Sequence, residues 1–183
     1  IMAGNGVIRA GASEALMQFA EKLNIPVAST FMAKGVISTE HPLSLGTVGL
    51  QAYDYVACGF DRSDLVICIG YDMIEYHPHL WNPDRSARIV HINSMPAEVD
   101  AQYQLEVGVI GDLNSALVEI GAKTNLRHAE FSTGLRNAIE KVVTEHAADD
   151  GFPIKPQKIL WDLRQSLAPE DIVISDVGAH KMW

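Results

Sequence analysis

Hydrophobic positions along the chain fall into two kinds of run. Asp64-Leu65-Val66-Ile67-Cys68-Ile69-Gly70 is apolar without interruption between an acid and a glycine, and Arg88-Ile89-Val90-His91-Ile92 has the same character. Unbroken runs of this kind fit parallel strands buried on both faces better than half-exposed antiparallel ones. Other stretches carry the helical period. Ala15, Leu16, Phe19, Ala20 and Leu23 recur at i, i+3/i+4 and predict a helix over 13–22, stopped at Asn24-Ile25-Pro26. Tyr53, Val56, Ala57 and Phe60 share one face of a helix expected over 50–60. Further strands are expected at 1–3, 26–31 and 107–110, and Asp112 caps a helix running to about 123. Residues 34–42 and 71–86 read as loops, with Pro78 and Pro83 in the second. Pro96 opens one or two helical turns over 96–103.

Short apolar strands alternating with helices predict an α/β fold. We expect a parallel sheet of about five or six strands with helices on both faces and right-handed crossovers. The pattern changes near Thr124. Residues 128–149 read as a long charged helix with Phe131, Leu135, Ile139, Val142 and Val143 as its apolar stripe. Asp149-Asp150-Gly151-Phe152-Pro153 reads as a linker. A helix over 156–167 and the start of a strand at 171–175 follow. The expected organisation is a central α/β domain at 1–122, a helical linker at 123–155 and a truncated second α/β domain at 156–183.

Composition narrows the function. An apolar content of 48% over 183 residues excludes disorder as the dominant state. No apolar run reaches the 18 or so residues of a membrane span. With 23 acidic and 14 basic residues the net charge is −9, which argues against nucleic acid and against an anionic membrane surface as partner. Cys58 and Cys68 are too few for a disulfide framework, read as small core residues, and suit a reducing, cytoplasmic compartment. The chain lacks Met at position 1, opens in a strand and stops just past another, so it reads as a fragment of a longer polypeptide.

Several groups carry candidate chemistry. Gly4-Asn5-Gly6 with Gly11 sits between a strand and a helix, where a dinucleotide fingerprint would sit. Position 9 is Arg where the third glycine belongs, so a tight strand-to-helix turn is the simpler reading. His77-x-His79 has metal-pair spacing without a third ligand, and a solvated loop explains it. His91 lies within a strand and reads as a core histidine. Glu75, between Tyr71 and Tyr76 just past a strand's carboxyl end, lies where α/β sheets bind ligands.

Gly46-Thr47-Val48-Gly49-Leu50, the 64–72 run, Glu75-Tyr76, Ile89-Val90-His91-Ile92-Asn93 with Pro96-Ala97-Glu98-Val99, and 107–112 together resemble the central domain of thiamine-diphosphate-dependent acetolactate synthases. Residues 175–183 resemble the start of that family's pyrophosphate-binding domain. The resemblance implies a Rossmann-like central domain in a homodimeric or homotetrameric enzyme that uses thiamine diphosphate and Mg2+. The implied reaction decarboxylates pyruvate and condenses it with a second pyruvate. Pyruvate oxidases and 2-oxoacid decarboxylases share this domain and remain alternatives, as does a non-catalytic nucleotide-binding module. Val177, Gly178, Ala179 and His180 match the cofactor-facing segment, with Ala179 where the family often has Gln. No catalytic residue or metal ligand falls within the chain, so alone it is expected to be inert, with 171–183 poorly ordered or packed in a non-native way. Flavin-binding members carry Gly-x-Arg-Phe-Asp-Asp-Arg after the strand matching 64–70. Asp72 and Tyr76 stand at the two Arg positions here, so the resemblance implies that FAD is not bound.

Overall fold

The computed structural model describes residues 1–49, 56–125, 127–128 and 132–178. These form two compact units, Ile1–Arg136 and Asn137–Trp183. The first holds β1 (Met2–Ala3), α1 (Asn5–Arg9), α2 (Ser13–Leu23), β2 (Val27–Thr30), a 3-10 turn (Phe31–Ala33), β3 (Ser44–Val48), α3 (Cys58–Asp61), β4 (Leu65–Ile69), α4 (Pro78–Trp81), β5 (Arg88–Asn93), β6 (Leu105–Ile110) and α5 (Leu113–Lys123). The six strands make one sheet in the order β3-β2-β1-β4-β5-β6, and every pairing is parallel. Helices flank the sheet on both faces, as the runs at 65–69 and 88–92 predict.

Alternation along the strands divides the core. Ile69 and Ile92, paired in register, pack with Leu16, Phe19, Leu113 and Leu117 of α2 and α5. Cys68 and His91, also paired, point to the opposite face, where His91 meets Tyr103. Asp112 caps α5 as its sequence position predicts, accepting from the Ser115 N–H at 2.8 Å, and this bond holds its carboxyl below the usual range. Arg136 closes the first unit by donating to the carbonyls of Thr39, His41 and Ser44 at 3.1, 2.7 and 2.6 Å.

The structure departs from the expected elements at several points. Ser44–Val48 is an edge strand, although Ser, Gly and Thr interrupt its apolar pattern; pairing to β2 makes it one. Asn5–Arg9 is helical where a glycine turn was expected, because Val7 inserts into the core and fixes that turn. Pro78–Trp81 forms one helical turn inside the expected loop, with Pro78 at its start and Trp81 buried. Residues 96–103 form no helix. The Asp100 Oδ1 instead accepts from the N–H groups of Gln102 and Tyr103 at 2.8 and 2.7 Å, satisfying locally the amides a helix would use. The helix expected at 50–60 falls largely outside the described residues, and only Cys58–Asp61 is seen as helix. Cys58 is exposed on α3 rather than in the core, whereas Cys68 is buried.

Of the helix expected over 128–149, Ser132–Thr144 is helical (α6) and 145–149 is not, while 129–131, with Phe131 of the expected stripe, lie outside the described residues; α7 (Pro156–Ser166) forms as predicted. Lys155 Nζ lies 2.8 Å from Asp149 Oδ2 across the linker between them. The strand expected at 171–175 does not form: the segment is exposed and, among the described residues, belongs to no strand.

Candidate functional site

Chain order reverses between β1 and β4: β2 and β3 build outward from one side, β5 and β6 from the other. In open parallel sheets ligands bind outside the carboxyl ends of the strands at such a switch point. Here the loops after β1 and β4 close upon each other. The Gly4 N–H donates to Ile69 O at 2.9 Å and the Gly6 N–H to Gly70 O at 2.8 Å. A side chain on Gly4 would place its Cβ 2.5 Å from Gly70 O, and one on Gly6 would lie 2.8 Å from Gly70 Cα. The glycines are needed because backbone meets backbone at this crossing.

Glu75 completes the closure. Both its carboxylate oxygens lie 3.1 Å from the Asn5 N–H, Oε1 also accepts from the Asp72 N–H at 3.3 Å, and the Thr30 hydroxyl donates to Oε2. One half-buried carboxylate thereby ties together the segments after β1, β2 and β4. Sequence reasoning marked Glu75 by its position and aromatic neighbours. It missed Thr30, whose only signal is a hydroxyl at the last position of a strand.

Behind this crevice lies a box of aromatic rings. Tyr71 stands 5.5 Å from Tyr103 and Phe60 5.5 Å from Trp81, centroid to centroid. The Tyr71 hydroxyl donates to Tyr76 O at 2.6 Å, and Trp81 Nε1 donates to the same carbonyl at 3.3 Å. His91 Nδ1 lies 2.8 Å from the Tyr103 hydroxyl, while its buried Nε2 has no hydrogen-bond partner among the described residues. Burial pushes the Cys68 thiol up to about 12, raises both tyrosine hydroxyls and lowers His91 below its ordinary value. Each group is held neutral. A thiol and imidazole so placed are packing elements with one internal hydrogen bond, not a poised nucleophile and base.

Among the described residues the remaining candidates assemble no site. His77 Nδ1 and His79 Nδ1 stand 2.8 Å apart, one donating and the other accepting, and His77 Nε2 lies 3.7 Å from Asp100 Oδ2. Among the described residues no group of three or more His, Cys, Asp or Glu side chains could hold a metal ion. A shallow cleft at the amino ends of the strands, between Ile1, Pro26, Leu45, Phe60 and Leu65, is apolar. Of the cofactor-facing segment, Val177 is exposed and its N–H donates to Asp176 Oδ1 at 2.7 Å; Gly178 is half-buried; Ala179 and His180 lie outside the described residues. Among the described residues no helix is long and apolar enough to cross a membrane.

A six-stranded parallel sheet with its switch point between β1 and β4 defines a Rossmann-like α/β domain. Residues 1–120 match the family model described as "Thiamine pyrophosphate enzyme, central domain", and the chain belongs to that family. It is similar along its length to acetolactate synthases. The probable large subunit of Methanococcus aeolicus is 32% identical over 204 residues, covering 100% of this chain and 34% of that protein. That of Methanocaldococcus jannaschii is 33% identical over 195 residues, covering 100% and 33%. The large subunit of Corynebacterium glutamicum is 32% identical over 192 residues, covering 98% and 30%. The chain thus spans about a third of the length of these relatives.

Proposed function

We propose that the chain is part of a thiamine-diphosphate-dependent acetolactate synthase. The observation that carries this reading is the similarity to acetolactate synthase large subunits over 98–100% of the chain, which extends past the central domain into the segment beyond residue 120. The parent enzyme takes pyruvate, removes carbon dioxide and joins the remaining two-carbon unit to a second pyruvate; thiamine diphosphate, with Mg2+, supplies the carbanion chemistry. The central domain contributes a scaffold, in keeping with the neutral, packed state of its buried titratable groups. Residues 156–183 open the pyrophosphate-binding domain after the linker at 123–155, and Val177 to His180 face the cofactor once that domain is complete. The enzyme is a cytoplasmic homodimer or homotetramer, and its two unpaired cysteines suit that compartment. It carries no FAD, because Asp72 and Tyr76 stand where flavin-binding members have the two arginines whose charge would compensate a dinucleotide's diphosphate.

The test is product analysis. A polypeptide carrying this chain with its flanking domains, given thiamine diphosphate, Mg2+ and pyruvate, forms acetolactate, shows no flavin band near about 450 nm, and loses activity when the cofactor is removed. The 183-residue chain alone forms none. Acetaldehyde as the sole product, or oxygen-dependent formation of acetate or acetyl phosphate, would assign the chain to a decarboxylase or oxidase instead.

A further inference from the structure

We propose that His77 and His79 form an acid-sensitive cap, which fixes α4, the turn carrying Trp81, while His77 is neutral and loosens it once both rings are protonated. The proposal goes beyond the acetolactate synthase reading and does not rest on it. It starts from a contact that only some protonation states allow. His77 Nδ1 and His79 Nδ1 are 2.8 Å apart, and two protonated nitrogens cannot face each other at that distance. His77 is the N-cap of α4, and its Nδ1 also accepts from the His79 N–H at 3.4 Å. That second donor settles the roles. His77 Nδ1 is the bare acceptor, with its proton on Nε2, which lies 3.7 Å from Asp100 Oδ2. His79 Nδ1 carries the donated proton.

A first proton leaves the arrangement intact: on His79 Nε2 it keeps the donated Nδ1–H in place and strengthens that bond. A second must go to His77 Nδ1. There it removes the acceptor of both bonds at once and sets like charges on rings whose centroids are 4.7 Å apart. Among the described residues Asp100 is the one carboxylate within 4.0 Å of either ring's nitrogens, and it favours the charged His77. It holds Nε2 but cannot replace the cap, because its other oxygen already accepts from the Gln102 and Tyr103 N–H groups at 2.8 and 2.7 Å. Both rings are exposed to solvent protons, but what the cap holds is buried. Trp81 packs against Phe60, Tyr71 and Tyr103 and donates from Nε1 to Tyr76 O at 3.3 Å; Asn82, next in the chain, donates to Gln102 O at 2.8 Å. The loop that holds α4 follows β4, on the carboxyl-end side of the sheet where such folds take ligands. Protonation of a surface pair is thereby passed to a buried aromatic ring on that side.

The test uses nuclear magnetic resonance of the full chain. At neutral pH the imidazole nitrogen signals show His77 as the Nε2–H tautomer and His79 with a proton on Nδ1. The Leu80 and Asn82 amides close the turn onto His77 O and Pro78 O at 3.0 and 2.8 Å. Between about pH 8 and pH 5, where histidines titrate, their hydrogen-exchange protection factors fall roughly fivefold to tenfold, the worth of one N-cap. His77→Asn keeps a cap acceptor that does not titrate, and in that variant the protection is independent of pH. His91, whose Nδ1 meets the Tyr103 hydroxyl in the same aromatic box, still titrates there, so a fall shared by both proteins assigns the effect to His91 and overturns the proposal. Wild-type protection that does not change with pH, or a His77 proton found on Nδ1 at neutral pH, overturns it as well. The tautomer is read in the wild type and decides the matter if the variant does not fold. Neither readout involves thiamine diphosphate, a flavin band or product formation, so the proposal and the acetolactate synthase reading can fail separately.

Discussion

Leu65-Val66-Ile67-Cys68-Ile69 and Ile172-Val173-Ile174 are near twins as sequences: each follows an aspartate and is rich in β-branched apolar residues. In the molecule they are opposites. The first is β4, hydrogen-bonded to β1 on one side and β5 on the other, with Cys68 and Ile69 fully buried. The second pairs with no strand of the sheet, and Ile172 and Ile174 are 87% and 91% exposed. Intrinsic β-propensity is therefore not what makes β4 a strand. A parallel strand is completed by neighbours distant in sequence, and the same residues without those neighbours are an apolar segment facing water. β6 lies between the extremes: it is paired to β5 alone, with Val107 and Ile110 exposed.

The sharpest way to break this comparison is to truncate one residue in each run. Ile69→Ala opens a cavity between the sheet and α2/α5 and costs about 2–5 kcal/mol of unfolding free energy. Ile174→Ala changes stability by no more than about 0.5 kcal/mol, as at exposed positions generally. Denaturant titration of the two variants measures both, and equal losses would mean that the 172–174 run is packed in solution.

The end of β4 offers a second pair. Gly70 and Gly11 both adopt left-handed backbone, with φ of 58° and 60°. An alanine at either position bears the conformational cost of roughly 1–2 kcal/mol. At Gly11 the new Cβ meets nothing within 4 Å, whereas at Gly70 it would lie 2.7 Å from the carbonyl carbon of Gly6. Gly70→Ala therefore adds an overpacking cost of about 1–3 kcal/mol and spreads the switch-point loops. Similar melting temperatures for the two variants would show that the crossing of the β1 and β4 loops is looser than the structure has it.

These contrasts also mark how far the sequence could be read. The parallel sheet was legible because buried-on-both-faces strands leave near-continuous apolar runs, at 65–69 and, with only His91 interrupting, at 89–92. Edge strand β3 was not, since Ser44, Gly46 and Thr47 carry no such run and its pairing to β2 is settled by tertiary context. The turns at 96–103 were read as helix from Pro96 and missed the side chain of Asp100, which takes the two amides ahead of it. At the site, Glu75 was visible as a carboxylate in the right place. Its partners were not, because Asn5 contributes a backbone amide, and amides have no sequence signature.

The smallest effect is also the most specific to the buried side of the comparison. His91 sits in β5 opposite Cys68, 2% exposed, with Nδ1 on the Tyr103 hydroxyl and, among the described residues, no partner for Nε2. Burial lowers its pKa; Asp72 pulls the other way and does not prevail. Cys68 and Tyr103, which also face it, are held neutral by burial. A proton gained at acid pH therefore goes to the unfolded chain first, whose histidine titrates at about 6.5. The contribution to stability is complete above that pH and is lost as the pH falls below it, by up to about 1.4 kcal/mol per pH unit until the native imidazole itself titrates. His91→Gln removes this dependence. The variant is less stable than the wild type at neutral pH, and the gap narrows between about pH 6.5 and pH 5 as the wild type loses its advantage. Taking the difference cancels the contributions of the other histidines, which both proteins share. Unfolding free energies from denaturant titration across that range measure it, and a gap independent of pH would place His91 in contact with water.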